Sequence, residues 1–290
     1  MSTTSPTTAD TTWKPTDKWL LGVVLAVITF WLFAQTLLNV IPGIREELGI
    51  ELTTANLAVS ITSLFSGLFI VIAGGLADRI GRVKILYVGI YLSILGSLLI
   101  ALTPENMGAL TTAMLLGGRI VQGLSAAAIM PSSMALLKAF YDGKERQRAI
   151  SYWSIGSWGG SGLTALFGGV MATSFLGWRS IFWISAALGI LSLFLLRGTP
   201  ESQAERDPNA PPYKFDWGGV IAFVIALLAL NIYISQGPNI GWLSLPGIGL
   251  LAVTLIGGLA FLQIETKHKT PFLNLNVFKN GTFTGATLSN

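Results

Sequence analysis

Arg119 is the residue whose type and position most constrain the chemistry of this chain. It stands inside an apolar stretch, with Met114-Leu115-Leu116 before it and Ile120-Val121 after it. A guanidinium at the centre of a membrane span costs roughly 2.5 to 3.5 kcal/mol on translocon scales, so it must face protein or water. Gln122 and Gly123 lie three and four residues on and share its helical face. In another apolar stretch Gln35 and Asn39 stand at i and i+4 with Thr36 between them, a second polar strip. Together the strips predict a polar-lined cavity between two helices, its walls carrying Arg119, Gln122, Gln35 and Asn39. Arginine does not give up its proton in a protein, so its chemistry is electrostatic: it holds a polar group or biases a protonation nearby.

Other chemistries are excluded by what is missing. All fourteen Asp and Glu residues fall outside the apolar stretches, cysteine is absent, and His268 is the only histidine. No metal cluster, no nucleophile with a histidine partner and no intramembrane acid–base pair can be assembled, so neither an enzyme nor a cofactor is expected. The net charge of +4 does not point to nucleic acid, because the basic residues form small clusters between apolar runs rather than one solvated face.

The elements that must position these residues follow from composition. Over 290 residues, 52% are hydrophobic and only 11% charged, with a mean hydropathy of +0.65. That is an all-α polytopic membrane protein. At about 20 residues per crossing, eight spans are predicted at 19 to 40, 54 to 77, 85 to 102, 109 to 130, 149 to 173, 179 to 197, 216 to 235 and 245 to 263. Of the 18 Lys and Arg residues, fifteen then lie on one side, Arg45 and Arg179 lie on the other, and Arg119 is within a span. The positive-inside rule makes the rich side cytoplasmic, which puts both ends there, in a cell membrane crossed several times.

The division of the chain is predicted as follows. Residues 1 to 18 form a polar, disordered cytoplasmic tail. Residues 19 to 197 form a six-helix bundle, and 198 to 215, with Pro200, Pro208, Pro211 and Pro212, form a cytoplasmic loop. Residues 216 to 263 give two further helices, and 264 to 290 a cytoplasmic segment that ends before another span is complete. The turn between spans two and three is the most heavily marked: Gly74, Gly75 and Gly81 bracket Asp78, Arg79, Arg82 and Lys84. Glycines there permit close approach and reversal, and Asp-Arg at a helix junction can act as a conformational latch. Span five carries Gly156, Gly159, Gly160, Gly162, Gly168 and Gly169, which allow tight, movable packing. Trp153, Trp158, Trp178 and Trp183 are read as interfacial or packing residues.

These stretches resemble the major facilitator superfamily. Gly74 to Leu86 follows its loop pattern Gly-x-Leu-Ala-Asp-Arg-x-Gly-Arg-Lys-x-x-Leu, with Val83 where lysine is usual. Leu116-x-x-Arg119-x-x-Gln122-Gly123-x-Ser125-Ala126-Ala127 follows its fourth-span pattern, and Gly177 to Phe182 looks like its turn into span six. The two spans after the proline-rich loop resemble the fourteen-span drug:proton antiporter branch. Trp31 to Val40 and Ser151 to Gly160 are similar to its quinolone and multidrug efflux members. The resemblance implies two bundles around a cavity that opens alternately to either side. The loop at 74 to 84 would latch against a C-terminal bundle that follows this chain, and Arg119 would take the proton-coupling position. It implies as partners a small amphipathic drug, a proton and the lipid bilayer, with Gly156, Gly160, Gly168 and Gly169 as hinge or packing positions. Two positions depart from the pattern: Ala34 replaces a first-span aspartate, and Thr164-Ala165 replaces a fifth-span Gly-Pro pair. An uncoupled facilitator of a small metabolite is the alternative on the same scaffold, and residues 1 to 290 expressed alone are expected to be inactive.

Overall fold

A computed structural model describes residues 13–203, 216–267, Gly281 and Gly285. Most of the predicted tail (1 to 18), most of the proline-rich loop (198 to 215) and nearly all of the final segment (264 to 290) therefore lie outside the described residues. The chain divides into two compact units, residues 1–206 and 207–290. Among the described residues there is no strand.

The first unit contains α1 (Asp17–Leu48), α2 (Leu52–Ile80), α3 (Arg82–Ala101), α4 (Ala109–Phe140), α5 (143–173) and α6 (Arg179–Leu195). Helices α1 to α4 are long and apolar enough to cross a membrane, and α6 is a shorter apolar helix. α1 and α5 are not regular. α1 passes through a π turn at Thr29–Ala34 and a 3-10 segment at Gln35–Val40, and α5 has a π turn at Ile155–Gly159.

Several helices run beyond the apolar stretches. α4 continues ten residues past the predicted end at 130 because Pro131 does not stop it. The hydroxyls of Ser132 and Ser133 donate to carbonyls of the preceding turn, Ala128 and Ile129 for the first and Met130 for the second, and Ser/Thr side chains commonly accompany such a proline in a membrane helix.

α4 is the central element, packed along α2 on one side and α3 on the other. The contacts are close because glycines remove side chains where backbones cross. A Cβ on Gly123 would sit 2.5 Å from the Thr62 carbonyl oxygen of α2, and one on Gly96 of α3 would sit 3.0 Å from the Gly118 carbonyl oxygen of α4. Two apolar layers stack along the bundle. One gathers Trp19, Val23, Val27, Leu86, Ile90, Ile129 and Leu137; the other gathers Phe33, Leu37, Ile44, Ala58, Leu115, Ile181 and Phe182.

Arg179 braces the end of the bundle where α1 and α3 finish and α6 begins. Its guanidinium donates to Glu47 Oε1 at 2.6 Å and to the carbonyls of Ala101 and Thr103 at 2.7 and 2.8 Å. Trp178 Nε1 donates to the other Glu47 oxygen at 2.7 Å. A forked donor that closes the C-terminus of α3 and binds a carboxylate of α1 at once is a task for arginine, not lysine.

The second unit is a hairpin of α7 (Trp217–Ile240) and α8 (Leu245–Lys267), both long and apolar enough to span a bilayer. Gly241, at φ +84°, makes the turn, and Phe223 meets Phe261 with ring centroids 4.9 Å apart. Asp216 caps α7, its Oδ1 accepting from Gly219 N at 2.8 Å. Glu265, placed in a tail by the sequence reading, is instead in the last turn of α8 and is buried, as is Asp216. The correction has a simple cause: α8 runs four residues past the end set by hydropathy.

Gly123→Ala should lower stability by about 1 to 3 kcal/mol through overpacking against α2. Gly117→Ala, with nothing within 4 Å, should be neutral or slightly stabilising; thermal unfolding in detergent compares the two.

Candidate functional site

Arg119 is fully buried in the bundle, at the boundary between the two apolar layers. Its Nε donates to the Ala58 carbonyl of α2 at 2.8 Å, and its Nη1 donates to the Ala34 carbonyl of α1 at 2.8 Å. The same Nη1 donates to Gln122 Oε1, one turn along α4, at 2.7 Å. Thr62 of α2 returns a bond to the Arg119 carbonyl at 3.0 Å. Nη2 is buried and has no hydrogen-bond partner among the described residues. One side chain thus ties α1, α2 and α4 and keeps one donor nitrogen in reserve.

The carbonyl of Ala34 stands where α1 is irregular. In a continuous α-helix that oxygen would accept the amide four residues on. At the junction of a π turn and a 3-10 segment the regular ladder changes register. The acceptor at this junction serves a charge that has no carboxylate among its hydrogen-bond partners in the described residues.

A polar chain continues from Gln122. Its Nε2 donates to Ser97 Oγ of α3 at 3.4 Å, and Ser97 Oγ donates to Ser185 Oγ of α6 at 3.1 Å; all three residues are buried. Ser97 and Ser185 are functional candidates that the sequence reading did not single out. Each is a serine on an apolar helix, and only the fold brings them beside Gln122.

Gln35 and Asn39 are half-buried and stand outside this hydrogen-bond chain. They also do not form one strip. The segment holding them is 3-10, in which side chains three apart eclipse, so Thr36 and Asn39 share a face. That face meets α5: a Cβ on Gly168 would lie 2.7 Å from Asn39 Cβ and 2.9 Å from Thr36 Cγ2. Arg119 and Gln122 likewise point into a helix junction rather than into an open cavity. Of the other span-five glycines, Gly156 packs on Val24 and Gly160 on Trp31 and Leu32, whereas Gly169 has open space around it.

The loop between α2 and α3 forms a second locus. Gly81 reverses the chain at φ +135°, a conformation for which glycine is suited. Asp78 Oδ1 accepts from Arg82 Nε at 2.8 Å across the turn, and Gly74 lies against Pro131 of α4. Arg79 is exposed beside them. Asp78, Arg82, Pro131, Met134 and Lys138 line a cleft of about 300 Å³ here.

The residues following α6 close over this loop. Glu201 accepts from the Val83 amide at 2.8 Å and the Lys84 amide at 3.2 Å, capping the start of α3, and the Ser202 carbonyl accepts from Arg82 N at 2.9 Å. A side chain on Gly81 would collide with the Glu201 carboxylate, 2.4 Å away. This contact joins segments 118 residues apart, so nothing in local spacing announces it.

A bundle of this helix order, with a buried arginine on its fourth helix and a glycine-bracketed Asp-Arg loop after its second, defines a membrane transporter scaffold. The chain belongs to the Major Facilitator Superfamily, whose family model matches residues 21–284.

It is 48% identical over 279 residues to the quinolone resistance protein NorB of Staphylococcus aureus strain MRSA252, covering 96% of this chain and 58% of that protein. With NorB of strain MSSA476 the identity is 50% over 274 residues, 94% of this chain and 57% of the relative. The chain thus spans somewhat over half the length of these relatives. Among solved structures, the POT family transporter PepTSo matches with a TM-score of 0.55 at 15% identity, over 88% of this chain and 55% of that one. A peptide transporter POT in complex with sulfate matches with a TM-score of 0.56 at 20% identity, over 88% and 53%. These two likenesses concern the fold alone.

Glu201→Ala removes the acceptor at the start of α3 and should cost about 0.5 to 2 kcal/mol, the range for loss of a helix cap, with Glu201→Gln intermediate. Limited proteolysis between residues 78 and 84, together with thermal unfolding, reads the effect.

Proposed function

We propose that this chain supplies the N-terminal six-helix bundle and the two following helices of a proton-coupled exporter of amphipathic drugs, working by alternating access in the cell membrane. What carries the reading is Arg119: a fully buried guanidinium, satisfied on two nitrogens by helix carbonyls and a glutamine, with Nη2 unpartnered among the described residues. A buried donor without an acceptor costs about 1 to 3 kcal/mol. Persisting here, it is well suited to meet a polar group during transport. NorB relatives at 48% and 50% identity support drug export as the activity.

In this reading Arg119 and Gln122, with Gln35 and Asn39 nearer the surface of the bundle, respond to the coupling proton and the drug. The proton itself needs another carrier, since arginine retains its own, and Arg119 donates to no carboxylate among the described residues. That carrier belongs to a second, C-terminal bundle of the full-length protein. Gly74, Asp78, Arg79, Gly81 and Arg82 form the latch, and the cleft beside Asp78 receives the second bundle in one of the two states. Gly156, Gly160 and Gly168 give the packing that lets α5 shift against α1, while Gly169 packs on nothing within 4 Å. Both ends of the described chain lie on the cytoplasmic side.

An uncoupled facilitator remains the second reading, favoured by the lack of a carboxylate at Arg119. The two separate on accumulation against a gradient, which a uniporter can never perform. In inside-out vesicles carrying the full-length protein, an imposed pH gradient should drive drug uptake that falls at least about tenfold in Arg119→Ala. Uptake that is unchanged in the variant removes Arg119 from coupling, and uptake that survives collapse of the gradient identifies a facilitator.

A further inference from the structure

The Arg119 side chain has three acceptors, and they are not alike. The carbonyls of Ala58 and Ala34 belong to the main chain and are fixed by their helices, whereas Gln122 Oε1 is carried on an amide that can turn. A guanidinium offers donors alone, so the end of the amide that lies 2.7 Å from Nη1 is its oxygen. The NH2 end then faces away from the charge. Buried as it is, that group needs an acceptor of its own.

Ser97 of α3 supplies the acceptor. Its Oγ accepts from Gln122 Nε2 at 3.4 Å, and its single proton goes on to Ser185 Oγ of α6 at 3.1 Å. From Arg119 outward, every donor in the series points away from the charge and every acceptor points toward it. The amide and the Ser97 hydroxyl therefore lie head to tail, each polarising the next, with their negative ends toward the guanidinium. This direction is imposed by the charge, because turning the amide over would set N–H against N–H at Nη1.

Close backbone contact holds the series in place. A Cβ on Gly96, the residue before Ser97, would lie 2.9 Å from Gln122 Cγ and 3.0 Å from Gln122 N, so α3 reaches the glutamine stem because that position is bare. On α6 a Cβ on Gly189, one turn beyond Ser185, would lie 2.7 Å from Ile94 Cγ1 of α3. Ser93, one turn before Ser97, is also buried, yet it takes no part in the bonds that join Arg119, Gln122, Ser97 and Ser185.

We propose that Ser97 and Ser185 are positioning residues for the buried guanidinium: they fix the Gln122 amide with its oxygen on Nη1, and so keep Nη2 as the donor left for a transport partner. Both serines are fully buried, and their route to Arg119 runs through Gln122. Without Ser97 the amide is free to turn, Nη1 loses a fixed acceptor, and both terminal nitrogens compete for the Ala34 carbonyl. The consequence for transport rests on the exporter reading; the placement of the guanidinium does not.

The test uses the full-length protein, with nitrogen-15 arginine in lipid nanodiscs for spectroscopy and in inside-out vesicles for uptake of norfloxacin, a quinolone, under an imposed pH gradient. In the parent the two Nη groups of Arg119 should give separate signals, since hydrogen bonding slows rotation of the guanidinium nitrogens. Ser97→Ala should merge or broaden them, and Ser93→Ala should leave them unchanged. Maximal uptake should fall about tenfold in Ser97→Ala and about threefold in Ser185→Ala, the scale of a buried hydrogen bond lost beside a charge, with the half-saturating norfloxacin concentration within about twofold of the parent. In a Gln122→Met background, where there is no amide to orient, adding Ser97→Ala should cost less than about twofold more. Nη signals in Ser97→Ala identical to the parent, an equal loss in Ser93→Ala, or a loss from Ser97→Ala as large with Gln122→Met as without it overturns the positioning role. Absence of pH-driven uptake by the parent, with the Nη signals still merging in Ser97→Ala, removes the exporter reading and leaves the positioning of the guanidinium standing.

Discussion

A positive charge that cannot be neutralised is enclosed in an apolar bundle, and the surrounding structure is arranged to satisfy it. Arg119 has no carboxylate among its hydrogen-bond partners; two main-chain carbonyls and one side-chain amide take that place. Partial charges on carbonyl oxygens replace a full counter-ion only when they are close and fixed, because the interior screens weakly and loose dipoles give little. The bundle therefore has to hold α1 and α2 within hydrogen-bond distance of α4.

Several features follow from that demand. α1 departs from regular α geometry between Thr29 and Val40, and the Ala34 carbonyl within that stretch accepts from the guanidinium. Gly123 lets α2 approach α4, and Gly96 and Gly118 let α3 do the same from the other side. Gln122, having given its oxygen to Arg119, finds its own acceptor in Ser97, and the chain ends at Ser185 of α6. Four helices besides α4 are thus connected to one side chain, directly or through Gln122. The ends of the bundle are secured separately, by Arg179 at one side and by Glu201 over the Gly81 turn at the other.

What was legible in the sequence is what depends on hydropathy or on residues close in the chain. The eight apolar stretches each correspond to a helix, and Arg119 with Gln122 at i+3 forms a pair. The misread features have physical reasons. At 3.6 residues per turn Gln35 and Asn39 share one face, and the 3-10 geometry rotates them apart. Glu265 was put in a tail because hydropathy ends before the helix does. Ser97, Ser185 and Glu201 act through partners 25 to 118 residues away, and no local pattern marks such pairs.

The family membership gives this arrangement its setting: the buried charge lies on the fourth helix of a Major Facilitator Superfamily chain, and ionisable groups enclosed in a membrane bundle face its interior. The account stands on the guanidinium being enclosed by its own helices. Nitrogen-15 labelling of arginine in the membrane-embedded protein, with Arg119→Lys to assign the resonance, observes that group directly. The Nε–H of Arg119 should remain visible for hours after transfer to deuterated water and show no cross-peaks to lipid acyl chains. Exchange within the dead time of the experiment, or contact with acyl protons, would contradict the enclosure on which the rest depends.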